Sequence, residues 1–126
     1  MRVLTLTLAP LLVFALAAAA KAEPPDISVA WTFGGNAQRG AALIKDYGCG
    51  VCHQIPGVAN ADGLVGPPLS NIGDRVYIAG MLRNTPDNLM FWLRHPQQVV
   101  PGNVMPDVGM TAPDARDIAT YLYTLR

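Results

Sequence analysis

The chain has 126 residues, carries nine Lys and Arg against nine Asp and Glu, and is 51% hydrophobic with only 14% charged residues. A chain of this length makes one small domain. The lack of any Lys- or Arg-rich cluster excludes nucleic acid and an anionic membrane surface as partners.

Residues 1–22 read as an export signal. Arg2 supplies a short positive start, Val3 to Ala20 is apolar apart from Thr5 and Thr7, and Ala20-Lys21-Ala22 fits a small-x-small cleavage site. Cleavage leaves Glu23 as the first mature residue and no membrane-spanning segment. The competing reading is a retained anchor, which the shortness of the apolar run and Pro10 argue against. Either way the functional part is placed outside the cytoplasm, in the periplasm. All nine acids but only seven of the nine bases lie beyond residue 22, so that part is net −2. Residues 23–36 form an irregular arm, with Pro24-Pro25 extended, Gly34-Gly35 breaking the chain, and Trp31 and Phe33 large enough to pack back on the domain.

Residues 37–126 form the one domain. Asn36 caps a helix from Ala37 to about Tyr47, whose apolar side is Leu43, Ile44 and Tyr47, while Gly40 and Ala41 leave a smooth patch for another helix. Gly48 ends the helix, and Cys49-Gly50-Val51-Cys52-His53 follows. Two cysteines three positions apart with a histidine directly after the second read as a c-type haem attachment site. Each thiol adds its S–H across one vinyl group, giving two thioethers on one edge of the ring, and the next residue reaches the iron with an imidazole nitrogen. Three plainer readings compete. A thioredoxin-like pair needs a βαβ pattern, which is missing. A zinc site needs further ligands, but the chain has no other cysteine and only His95 besides. A disulfide across two residues is strained and leaves His53 without a role.

Residues 54–70 lack a helical period and are rich in Pro and Gly. Ile55, Val58, Leu64, Val65 and Leu69 along it indicate a loop that wraps something. A proximal histidine needs an acceptor on its second ring nitrogen, and a backbone carbonyl within Gly66-Pro67-Pro68-Leu69 suits that. Residues 71–83 are turn-rich. Thr85 caps a second helix with Pro86 at its first position and Asp87 in its first turn; Leu89, Trp92 and Leu93 form its buried side, and His95-Pro96 stops it. Residues 96–109 form another loop. A third helix runs from about Ala112 to Leu125, opened by Thr111 and Asp114 as a capping box, with Tyr121 placed to pack on Gly40 and Ala41.

A second iron ligand comes from Met81, Met90, Met105, Met110 or His95. Most methionines are core fillers. Met105 differs in context: it sits on a loop able to pass over the distal face, and Pro106 restrains it. Met105 is the reading adopted, ahead of Met110 and His95.

With these residues in place, the sequence resembles a small class I cytochrome c. The resemblance rests on Gly40 and its helix, Cys49-Gly50-Val51-Cys52-His53, Gly66-Pro67-Pro68-Leu69, Asn88-Leu89-Met90-Phe91-Trp92-Leu93, Pro101-Gly102-Asn103-Val104-Met105-Pro106 and Asp117-Ile118-Ala119-Thr120-Tyr121-Leu122, in that order. It implies an all-α fold of about three main helices with long loops around one covalent haem c, the first and last helices crossing. It implies His53 and Met105 as axial ligands, the Pro67 carbonyl as acceptor for His53, Arg75 and Asn84 near the propionates, and Trp92 against the haem near the methionine. Gly40 lies nine positions before Cys49 where many members have eight, so Gly48 reads as an insertion, and the lysine-rich face of the mitochondrial members is missing. The segments Ile55-Pro56-Gly57, Arg75-Val76-Tyr77-Ile78-Ala79-Gly80 and Asn84-Thr85-Pro86 are similar to the cytochrome domains of bacterial haem-copper oxidases.

Two axial ligands leave no open coordination position. The expected function is a carrier, not an enzyme: single electrons shuttled between redox partners of a respiratory chain, with Val51, Ile55, Val104 and Val108 around the exposed haem edge. The alternatives are a fixed cytochrome subunit of a terminal oxidase or periplasmic dehydrogenase and, behind it, a peroxidase-like haem protein.

Overall fold

A computed structural model describes residues 34–126. The export signal and most of the arm, including Trp31 and Phe33, lie outside the described residues. Asn36 holds extended backbone and its side-chain oxygen accepts the Arg39 N–H at 2.8 Å, which starts α1, Ala37–Asp46. Tyr47 caps the far end, and Gly48 follows with φ +70°. A left-handed residue here turns the chain straight into the short 3-10 turn Cys49–Val51. The apparent insertion is therefore the helix terminator itself.

A second 3-10 turn, Ile72–Asp74, precedes a small antiparallel hairpin of β1, Tyr77–Ile78, and β2, Leu82–Arg83. Its loop is left-handed at both Ala79 and Gly80. Next comes α2, Pro86–Arg94, capped by the Thr85 hydroxyl, which accepts the Asn88 N–H at 3.3 Å. Beyond His95 the chain makes one further helical turn, α3, Pro96–Val99, inside the expected loop. The last helix, α4, spans Ala112–Leu122, and Thr111 Oγ1 both accepts the Asp114 N–H at 3.3 Å and donates to the Asp114 carboxylate at 2.7 Å. It is about a turn shorter than its apolar period predicts: Leu125 is buried, but its N–H closes a tight turn onto Leu122. The fold is all-α with three main helices, and the hairpin and α3 are small additions.

The core lies where α1 crosses α4, with α2 packed on α4 from the other side. A Cβ on Gly40 would sit 2.1 Å from the Asp117 carbonyl oxygen, so only glycine allows this approach. Tyr121 covers that spot and its hydroxyl donates to the Pro56 carbonyl at 2.6 Å, tying α4 to the wrapping loop. Ile44, Leu89, Leu93, Ile118 and Leu122 fill the interior, each stabilising by about 1.5–3 kcal/mol. At one end of the crossing the buried Asp117 carboxylate accepts the Asn36 N–H at 2.8 Å and the Arg39 Nε–H, while Arg39 also pairs with Asp114 at 3.6 Å. Asp114 further accepts the Tyr47 hydroxyl at 2.9 Å. No described helix is long and apolar enough to cross a membrane.

Candidate haem site

Three backbone hydrogen bonds build the attachment turn: Cys52 N–H to the Cys49 carbonyl at 3.2 Å, His53 N–H to the same carbonyl at 3.0 Å, and Gly66 N–H to the Cys52 carbonyl at 2.8 Å. The last brings the wrapping loop back over the motif. There His53 Nδ1 meets the Pro67 carbonyl at 2.8 Å. A carbonyl only accepts, so Nδ1 carries the proton and Nε2 keeps its lone pair. This matches what a metal-bound imidazole needs. Gly66 is required by the same ring: a Cβ there would lie 2.3 Å from His53 Cε1 and 2.6 Å from Nδ1.

Cys49, Cys52, His53, Pro67, Arg75, Trp92 and Met105 all line one apolar cavity of about 400 Å³, walled by core residues such as Ile44, Ile55, Leu89 and Ile118. Both cysteines are free thiols. Burial pushes the Cys49 thiol up, partly offset by a backbone N–H and reinforced by the neighbouring Cys52. Among the described residues no three His, Cys, Asp or Glu side chains gather as a metal-binding cluster.

Asn84 stands apart from the cavity lining. Its Nδ2 donates to the Ile72 carbonyl at 2.7 Å and the Arg75 carbonyl at 2.8 Å, and its Oδ1 accepts the Tyr123 hydroxyl at 2.7 Å. The amide is thus committed to holding the Arg75 backbone. Arg75 donates to the Pro68 carbonyl and is the one permanent cation among the lining residues. Of the rival ligands, Met110 also lines the cavity but is buried in the core, whereas Met81, Met90 and His95 are absent from the lining. Ile55 is only 3% exposed and belongs to the core, so it is not part of a surface around the cavity mouth. Leu64, expected to wrap inward, is 82% exposed instead, as is Val51 at 77%, whereas Val65 and Val104, though 66% and 79% exposed, lie on the cavity lining.

Two residues that the sequence reading passed over hold the Met105 loop. Asn103 Oδ1 accepts the Met105 N–H at 2.8 Å, and Gln97 Nε2 donates to the Met105 carbonyl at 2.8 Å. An Asn two positions before its target is an Asx-turn signal; for Gln97 the sequence carries no comparable signal.

The chemistry of this lining fits a covalently held haem c: paired free thiols, an imidazole with its proton fixed on the outer nitrogen, a thioether opposite in sequence order, and an apolar, ring-scale cavity. The cytochrome c family model matches residues 37–126. The chain belongs to the cytochrome c family. It is similar to cytochrome c oxidase subunit 2 of Alkalihalophilus pseudofirmus, 36% identical over 91 residues that cover 71% of this chain and 26% of that protein. It is also similar to cytochrome c oxidase subunit 2 of Bacillus subtilis, 30% identical over 89 residues, 69% of this chain and 25% of that one. The chain thus spans about a quarter of the length of these curated relatives. It is a class I c-type cytochrome that resembles the cytochrome c domains of oxidases, and its chemistry is haem-based electron transfer.

Proposed function

We propose that this cytochrome binds one haem c and delivers single electrons to a haem-copper terminal oxidase as an associated subunit. The freely diffusing shuttle expected from sequence comes second. The observation that carries the choice is that the similar proteins are oxidase subunits, matched across most of this domain.

When bound, the haem supplies a reversible one-electron iron centre. Cys49 and Cys52 anchor the ring. His53 Nε2 would bind the iron, with the ring's tautomer and plane held by the Pro67 carbonyl. The Met105 thioether would be the second protein ligand and would leave no position for a substrate, which would separate this site from a peroxidase. Arg75 offers a propionate its charge, with Asn84 one step behind holding the Arg75 carbonyl, and Trp92 forms part of the wall beside the methionine side. The exposed Val51, Leu64, Val65 and Val104 give the partner an apolar contact, which suits a small, short-lived redox interface. Residues 1–22 act as the export signal, so the domain works outside the cytoplasm.

The test is rapid mixing of the reduced, haem-loaded full chain with a purified haem-copper oxidase under oxygen. The reading predicts oxidation that depends on the oxidase, changes little with salt, and slows when Val51 or Val104 is replaced by Asp. Direct oxygen oxidation, or carbon monoxide binding by the ferrous protein, would favour the open-site alternative.

A further inference from the structure

The segment that presents Met105 forms part of the cavity wall, through Val104, Met105, Pro106 and Val108, and has few contacts with the rest of the protein: Val104, Pro106, Asp107, Val108 and Gly109 are otherwise exposed. Segments with few buried contacts open locally at small cost, yet a carrier needs its sixth ligand to stay in place. What holds this stretch is a pair of side-chain amides. Gln97 Nε2 donates to the carbonyls of Asn103 at 2.9 Å and Met105 at 2.8 Å, and its Oε1 accepts the Gly102 N–H at 3.1 Å. Asn103 reaches the other way, donating to the Pro96 carbonyl at 3.0 Å and the Val100 carbonyl at 2.6 Å while accepting the Met105 N–H. Pro96, next to Gln97, is fully buried and fixes the post from which Gln97 reaches out.

Resting on the reading that Met105 is the sixth ligand, we infer that Gln97 is the positioning residue that keeps it there. Asn103 belongs to the loop and reaches back to the Pro96 carbonyl at the start of α3. Gln97 stands on α3 outside the loop and is the side chain that donates to the carbonyls of Asn103 and Met105. Removing its donors leaves α1, α2 and α4 untouched and lowers the cost of swinging Met105 away.

The experiment uses the oxidised, haem-loaded full chain with imidazole as the probe, since imidazole takes the sixth position only when methionine leaves it. Gln97→Leu removes both donors and the acceptor. Gln97→Glu keeps size and acceptor but loses both donors. Gln98→Leu, an exposed neighbour on α3, is the control. Loss of two hydrogen bonds of ordinary strength tightens imidazole binding by on the order of tenfold or more in both Gln97 variants; Gln98→Leu binds as wild type. Imidazole affinity within twofold of wild type in the Gln97 variants overturns the inference, even if their melting temperature falls, because that is a structural role alone. Failure of both variants to accumulate with wild-type helix content also counts against it, since the device is confined to one loop. A wild type lacking the near-infrared sulfur-to-iron band removes the Met105 reading itself, and the inference with it.

Discussion

Replacing Gly66 by alanine is the sharpest perturbation of the proximal side. Gly66 is not in the left-handed region, so alanine costs nothing in backbone conformation and the effect is steric. The new Cβ would stand 2.3 Å from Cε1, 2.6 Å from Nδ1 and 2.9 Å from Nε2 of His53. Restoring ordinary contact moves the ring or the loop by about 1 Å. Neither yields easily: Gly66 N–H is bonded to the Cys52 carbonyl at 2.8 Å and His53 N–H to the Cys49 carbonyl at 3.0 Å. The displacement breaks the His53–Pro67 hydrogen bond, worth about 1 kcal/mol, and adds about 1–3 kcal/mol of overpacking. Denaturant unfolding of the haem-loaded variant should show a loss of about 2–4 kcal/mol, together with a shifted Soret band from a misaligned proximal ligand. A variant within 0.5 kcal/mol of wild type with an unchanged spectrum would refute the claim that Gly66 exists for the His53 ring.

Replacing Asp117 by alanine should destabilise by about 1–2 kcal/mol, measured by urea unfolding, because it frees the Asn36 N–H and the Arg39 Nε–H together; Arg39 is half in water, which keeps the loss moderate. Asp114 is held below the ordinary aspartate range, first by the Thr111 hydroxyl and then by the Tyr47 hydroxyl and Arg39. A carboxylate lowered on folding contributes stability that is complete above its unfolded value and is lost as pH falls through the folded one. The acid limb of stability against pH should therefore flatten in Asp114→Asn. Burial pushes the Tyr123 phenol up to about 12, so ultraviolet titration should find it ionising well above the ordinary tyrosine range. Its stabilising effect is complete below the ordinary tyrosine range and is lost as pH rises through about 12. Tyr123→Phe, which also frees Asn84 Oδ1, should cost about 1 kcal/mol.

The three main helices were legible because their signals are local. Asn36, Thr85 and Thr111 are capping residues, Pro86 and Pro113 lie in the first turns, and the apolar residues recur at helical spacing. The extent of α4 was overestimated because Leu125 keeps the apolar period while the backbone has already tightened. Which faces of a loop point inward is a tertiary fact: Ile55 goes to the core and Leu64 to water, although both read as apolar loop residues. The cysteines and His53 sit together because they are neighbours in sequence. Met105 and a carbonyl acceptor within residues 66–69 were read from loop context, Arg75 and Trp92 came only from the resemblance, and the cavity lining includes Pro67, Arg75, Trp92 and Met105. Asn84 has the composition of a ligand-binding amide, but three protein partners at 2.7–2.8 Å already use it. Gln97 was invisible because no motif precedes it and its targets lie on the next loop.

The central claim is a closed coordination sphere of His53 and Met105 serving electron transfer. The absorption spectrum of the oxidised full chain, beside that of Met105→Ala, tests it most directly. The account predicts a weak near-infrared sulfur-to-iron charge-transfer band in the wild type that vanishes in the variant, while covalent haem attachment is kept in both. A band that survives in Met105→Ala would pass the ligand role to another methionine, Met110 first. A wild type without the band would contradict the closed site and bring the peroxidase-like reading forward.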